Sequence, residues 1–176
     1  MEFEQVIRKR RMIREVDPNK QIPEKTIGKL LRNAHRAPSA GHTQVQEFVV
    51  VKDPTIMKKL REVAVDQEYV EEAPTLIVVC SNTYSSEKRY GRRGREFYSV
   101  IDGAFASMLI LLTAVNEGIG AGFVGAFEDD KVSEILKLPR YVKPVGIITL
   151  GYPKETEPVG MFERIPIEDL THYEKW

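Results

Sequence analysis

The chain has 176 residues, 42% hydrophobic and 30% charged, which suits one domain with a real core and leaves little room for a second. Its 26 Lys and Arg balance 26 Asp and Glu, which argues against nucleic acid or a polybasic membrane contact as the main partner. The single cysteine, Cys80, cannot form an intrachain disulfide, and its place in "LIVVC" reads as a buried, inert thiol.

The opening "MEFEQVIRKRR" has no signal-peptide h-region, and no apolar run reaches transmembrane length, so the cytoplasm is the expected address. Phe3, Val6 and Ile7 predict a short amphipathic helix ending near Arg10. Ile27, Leu30, Leu31 and Ala34 recur at helical spacing and predict a helix from about Pro23 to His35, with the proline suited to the first turn. Next comes "APSAGHTQ", Ala37 to Gln44, an uncharged and mostly small stretch. It is longer than the roughly two to six residues a helix-to-strand connection needs, and reads as a loop that holds something. A strand follows at Phe48 to Val51.

Asp53-Pro54 is an N-cap followed by a first-turn proline, opening a helix to about Ala64. "APTLIVVCS" is a buried strand and "NTYSSEKRYGRRG" a polar loop. From Arg95 to about Glu117 runs the longest helix, carrying Phe97, Val100, Ile101, Phe105, Met108, Leu112 and other apolar residues on more than one face. Such a helix belongs at the centre of a domain or in a subunit interface. A strand at Gly122 to Ala126, a helix from Asp129 to about Leu138 and a strand from Val145 to Leu150 complete the order. The tail from Gly151, with Pro153, Pro158 and Pro166, reads as extended. Its Phe162, Tyr173 and Trp176 need burial, which a partner subunit would supply. Alternating helices and strands make the class α/β or α+β.

"GAGFVG", Gly120 to Gly125, matches the dinucleotide fingerprint only in letters. The long helix precedes it, and no acidic residue stands about 20 positions on to meet a ribose. A tight turn into a strand of small residues accounts for it; glycines that let a ligand approach the backbone are the other reading. His35, His42 and His172 show no metal-ligand spacing, and no G-x-S-x-G elbow occurs.

Four stretches, in order, resemble the nitroreductase family of FMN-dependent oxidoreductases. "RKRRMIREV" (8–16) resembles its R-R-S-x-R opening and "RAPSAGHTQVQEFVVV" (36–51) its A-P-S-x-x-N-x-Q-P-W-x-F-x-V-V. "GIGAGFVGAFEDDKVSEILKLP" (118–139) resembles its G-L-G-x-x-W-I-G-x-F segment, and "PVGIITLGYPKE" (144–155), with Arg164 beyond, its closing strand and tail. The resemblance implies an α+β fold, a mostly antiparallel central sheet wrapped by helices in one domain spanning 1–176. It also implies an intertwined homodimer, the tail 151–176 lying on the partner and two FMN sites built from both subunits. The loop 37–44 then becomes one wall of a flavin pocket.

By the same resemblance the cofactor-binding residues are Arg10, Arg11, Met12, Arg14, Pro38, Ser39, Ala40, His42, Gln67, Val124, Gly125, Ala126 and Arg164. Arg10 and Arg164 match the phosphate ligands, where a guanidinium fork suits paired phosphate oxygens. Arg14 and Gln67 match contacts to the pyrimidine side of the ring, and Gly125 and Ala126 the backbone facing N5. Met12 stands where the family usually has serine, His42 where it has asparagine, and Val45 where proline is common. Taken alone, Arg8 to Arg11 read as a solvated helix end, Arg14 as a surface partner of Glu15, and His42 as a loop histidine.

The implied activity is ping-pong hydride transfer from NADH or NADPH to flavin N5 and on to a nitroaromatic, quinone or similar small acceptor, with the flavin carrying the chemistry. Arg92 and Arg93, in a run with five basic residues among ten (87–96), are candidates to meet the phosphates of the donor. The alternative is a non-catalytic flavin-binding or dimeric interaction protein on the same fold.

Overall fold

The computed structural model describes residues 1–154 and 164–176; Pro158 and Phe162, with the rest of 155–163, lie outside the described residues. Short-range chemistry places many of the elements. Helix α1 is Phe3–Lys9 and α2 Glu24–Ala34, the latter burying Ile27, Leu30 and Ala34 on one stripe. Asp53 caps α3 (Pro54–Val63) by accepting from the N–H groups of Thr55 and Ile56 at 2.8 and 3.2 Å, and Pro54 begins the helix. Strands β2 (Gln46–Val51) and β3 (Thr75–Asn82) pair antiparallel along their length.

Among the described residues the sheet has five strands. Its order runs β1 (Val16–Asp17), β5 (Val142–Pro153), β3, β2, with β4 (Gly120–Val124) also on β5. The long β5 (Val142–Pro153) pairs antiparallel with β1, β3 and β4. Because side chains alternate across a sheet, its two faces gather two separate cores. One holds Leu76, Val78, Cys80, Val124 and Ile147 with Met57 and Leu60 of α3, Val70 of α4 (Glu68–Glu72) and Val132 of α7 (Asp129–Ile135). The other holds Ile77, Val79, Ile148 and Leu150 with α2 and with Ala106, Ile110 and Ala114 of α6 (Ser99–Asn116). The result is the expected α+β arrangement of a central antiparallel sheet wrapped by helices.

Several sequence expectations are corrected. The stretch 82–94 is not a polar loop but helix α5 (Thr83–Arg93), whose start is capped when the Asn82 side chain accepts from Ser85 N–H. Its charged face hides the helical pattern. At Gly91 (φ 60°, ψ −148°) the chain turns, and one π-turn (Gly94–Tyr98) leads into α6. A Cβ at Gly94 would lie 2.2 Å from the Ser86 carbonyl oxygen, so only glycine permits this fold-back. The helical span from Thr83 to Asn116 is long and apolar enough, by length and composition alone, to cross a membrane, although Asp102 interrupts its apolar run. Its bend at Gly91 and the packing of α6 on the sheet account for its apolar character as a core helix. The strand expected at 122–126 starts and ends two residues earlier, leaving Gly125 and Ala126 beyond it. Strand β1 (Val16–Asp17) and helix α4 are additions, being too short to show periodicity. Of the tail read as extended from Gly151, Gly151–Pro153 are extended as the end of β5, whereas Ile167–Leu170 form a 3-10 turn.

Candidate functional site

The residues singled out in the sequence fall into two groups, one on each face of the sheet. The first starts where α1 ends. Arg10 N–H donates to the Val6 carbonyl at 3.0 Å, closing the helix, and the chain then runs along the edge of β4. Ile13 N–H donates to the Ala121 carbonyl at 3.1 Å, and Phe123 N–H donates to Met12 Sδ at 3.2 Å. Met12 is therefore engaged with β4 through its sulfur, a role a serine hydroxyl would be too short to fill. This close approach requires Gly122, where a Cβ would lie 2.7 Å from Thr149 Oγ1 and 3.1 Å from the Ile13 oxygen.

Two residues beyond Met12, the Arg14 guanidinium lies over the ring of Tyr69, 5.7 Å from its centroid. The Tyr69 hydroxyl donates to Gln67 Oε1, and Gln67 Nε2 donates to the Ala64 carbonyl at 3.1 Å. Val65 and Asp66, between α3 and α4, take left-handed backbone at φ 55° and 49°. Arg61 steadies this turn, reaching Asp66 at 2.8 Å and Glu71 at 3.0 Å. The chain leaving β4 docks on the same turn, Glu128 N–H donating to the Val63 carbonyl at 3.0 Å. Val124 is buried there, while Gly125 and Ala126 are exposed. Arg14, Gln67, Gly125 and Ala126 thus border one wall built on the α3–α4 turn, with Arg10 and Arg11 half-buried at the foot of the same segment.

The second group is the loop 37–44. Gly41 and His42 are left-handed at φ 55° and 58°, and Gln44 at 49°. Much of its hydrogen-bonding capacity holds the loop itself. Ser39 Oγ accepts from Gln44 N–H at 2.9 Å, Thr43 Oγ1 donates to the Ala40 carbonyl at 2.9 Å, and the Gln44 amide nitrogen lies 3.1 Å from His42 Nε2. From outside, Arg89 of α5 donates to the Gly41 carbonyl at 2.7 Å. Asp102 of α6 accepts from Ala40 N–H at 3.0 and 3.2 Å through its two oxygens. Asp102 is 2% exposed, and burial pushes its carboxyl up, offset in part by the Ala40 N–H. Pro38, Gly41 and His42 are exposed.

The structure thus brings Arg14 and Gln67 together, and Ser39, Ala40 and His42 together, but it separates the two sets across the sheet of one chain. Arg92 and Arg93 sit at the end of α5, with local partners: Arg92 Nε donates to Glu96 at 2.7 Å, and Arg93 stacks over Phe97 with its centroid distance 4.5 Å and donates to Tyr98 at 3.2 Å. Arg164 is exposed at the start of the described tail. Cys80 is fully buried, and burial together with the Glu47 charge pushes its thiol up to about 12, as an inert core thiol requires.

Sequence reading missed Tyr69 and Asp102. Asp102 had a signal, since a lone carboxylate inside the apolar run "SVIDGAFA" must find a partner when buried. Tyr69, two positions beyond Gln67, had none at that range.

The sequence profile of the Nitroreductase family matches residues 7–68 and 64–152. A Methanothermobacter thermautotrophicus protein provisionally named an NADH dehydrogenase/NAD(P)H nitroreductase is 34% identical over 181 residues, covering 100% of this chain and 88% of its own. An NADPH-dependent oxidoreductase of Staphylococcus aureus is 30% identical over 171 residues, covering 90% of this chain and 68% of its own. The crystal structure of a nitroreductase family protein from Clostridium difficile superposes with a TM-score of 0.86 at 25% identity, covering 100% of both chains.

Proposed function

The chain belongs to the nitroreductase family, and on that premise we propose that it is an FMN-dependent oxidoreductase. The specific reading is ping-pong transfer of a hydride from NADH or NADPH to a nitroaromatic, quinone or similar acceptor. Bound FMN would supply the two-electron chemistry. The chain's own residues bind, orient and shield. Arg10, Arg11 and Arg164 would hold the phosphate, Arg14 and Gln67 the pyrimidine edge, and Val124, Gly125 and Ala126 would leave one ring face open to donor and acceptor.

The residues fit that cofactor. A cation and an amide, both held by Tyr69, stand on the same turn that receives the exposed Gly125 and Ala126. A ring needs this pairing of fixed polar edge and unobstructed face. A Cβ at Gly125 would meet only the Phe123 ring, so the space before it is open.

The observation that carries the reading furthest is the placement of the two groups on opposite faces. In one chain, Pro38, Ser39, Ala40 and His42 cannot share a pocket with Arg14. In a homodimer they can, with the loop of one subunit closing the wall of the other. The surface of α6 and its approach supports such a partner: Phe97, Val100, Phe105 and Met108 are 45–48% exposed, as are larger fractions of Ile167, Leu170, Tyr173 and Trp176 in the tail.

The test is the visible spectrum of the protein with added FMN, recorded anaerobically before and after NADH or NADPH. Binding followed by bleaching is expected. Binding without bleaching would overturn the enzymatic reading in favour of a non-catalytic flavoprotein, and no binding would overturn the cofactor. The donor site has its own check. Arg92→Ala/Arg93→Ala should raise the donor's KM and flatten its salt dependence; if neither moves, these residues do not meet the donor.

A further inference from the structure

Tyr69 touches both polar groups of the wall at once, through chemically different parts of its side chain. Its ring face takes the Arg14 guanidinium at 5.7 Å, within the range at which a cation is attracted by an aromatic quadrupole. Its hydroxyl donates to Gln67 Oε1, which turns the Gln67 amide so that Nε2 points at the Ala64 carbonyl. The ring's own position is fixed from behind. It packs on the core of the α3/α4 face, and α4 is tied to α3 by Arg61, which pairs with Asp66 and Glu71. A long arginine side chain has many rotamers, and contact with a fixed ring restricts them.

We propose that Tyr69 is a positioning residue that locks Arg14 and Gln67 into one rigid unit aimed at the pyrimidine edge of the flavin. This role presupposes the FMN reading given above. Tyr69 does not touch the reacting atoms. It limits where the Arg14 charge can sit, and a positive charge held at the ring favours the form of the cofactor that carries negative charge, the reduced one. Removing the ring should therefore act in the same direction as removing Arg14, and through it.

The experiment compares wild type, Arg14→Ala, Tyr69→Phe, Tyr69→Leu and Arg14→Ala/Tyr69→Leu, all loaded with FMN. The readouts are the two-electron midpoint potential and the dissociation constant for oxidised FMN. Tyr69→Leu should lower the preference for reduced over oxidised FMN about fivefold, roughly 20 mV at about 30 mV per decade for two electrons. Tyr69→Phe, which keeps the ring, should restore the potential while weakening oxidised FMN several-fold through the freed Gln67. The double variant should match Arg14→Ala.

A potential that moves in Arg14→Ala but not in Tyr69→Leu would overturn the proposal and leave the flavin reading intact, as would full additivity in the double variant. Failure of the wild type to bind FMN would overturn both. Should Tyr69→Leu not fold, Tyr69→Phe decides alone: unchanged FMN affinity and potential there would overturn the locking role.

Discussion

The two faces of the sheet solve the same problem differently. On the α3/α4/α7 face the hydrophobic core is closed within the chain, and its rim carries Arg14 and Gln67 linked through Tyr69, with the chain beyond β4 docked on the end of α3. On the α2/α6 face the loop 37–44 is held rigidly by Asp102 and Arg89, yet α6 turns large apolar side chains outward beside it. The first face is covered within the chain; the second leaves Phe105 and Met108 about half exposed, and under the proposed reading a second subunit covers them. The contrast teaches that one chain can hold two separately braced clusters of candidate residues, one on each side of the same sheet.

The strongest way to break that comparison is to charge the open face. Phe105→Glu/Met108→Glu should convert a dimer to a monomer by light scattering and weaken FMN about tenfold or more, since a central apolar anchor commonly contributes over about 2 kcal/mol at an interface. Unchanged mass with unchanged FMN affinity would mean that the second face is complete as it stands.

The first face is tested by Arg14→Ala, which should lower the flavin midpoint potential by roughly 30–65 mV. That range takes a charged hydrogen bond as about 1.5–3 kcal/mol and about 30 mV per 1.4 kcal/mol. An unmoved potential in a flavin-loaded variant would remove Arg14 from the ring.

The anchor between loop and α6 sharpens the comparison next. Asp102→Ala strands the Ala40 N–H and should cost about 1–3 kcal/mol in chemical denaturation. Asp102→Asn keeps an acceptor and removes a buried charge. Because burial raises the folded-state pKa of Asp102 above its unfolded value, the native state holds its proton longer. Asp102 therefore opposes folding as pH rises past the unfolded value of about 3.9. Asn should be as stable as wild type or better at neutral pH, with the advantage vanishing in acid. An Asn variant as unstable as Ala at pH 7 would show that the charge itself is needed.

Cys80 gives a pH test of the closed core. Its thiol is raised to about 12, so the unfolded chain loses that proton first, and stability should fall as pH climbs from about 9 towards 12. Cys80→Ala should remove that part of the alkaline loss; an identical alkaline profile would show that the thiol is not its source. The smallest effect is expected at Val65, a β-branched residue held at φ 55° on the α3–α4 turn. Val65→Gly should change stability by less than about 1 kcal/mol, relief of left-handed strain offsetting the entropy of glycine; a large loss would mean that its exposed side chain is covered by a neighbour.

Local chemistry was enough for much of the chain. Asp53-Pro54 starts α3 because the donors lie two and three residues beyond their cap, and Ile27, Leu30 and Ala34 make α2 because one helical turn sets their spacing. The glycine pattern at 120–125 reads, from its neighbours, as a turn into a strand of small residues, and Gly120–Val124 of it form β4. The four ordered motifs carried the family. What stayed hidden depends on contacts between distant positions. Ala40 meets Asp102 across 62 residues, Met12 meets Phe123 across 111, and Arg14 meets Tyr69 only because the 10–14 segment lies along β4. The charged α5 has too little apolar surface to announce itself as a helix. Which face of the sheet each candidate residue occupies follows from a strand order, β1-β5-β3-β2, that does not follow the chain. Sequence nominated the candidate residues, because their types and order lie along the chain; only the packing of two cores on opposite faces decided which of them meet within one chain.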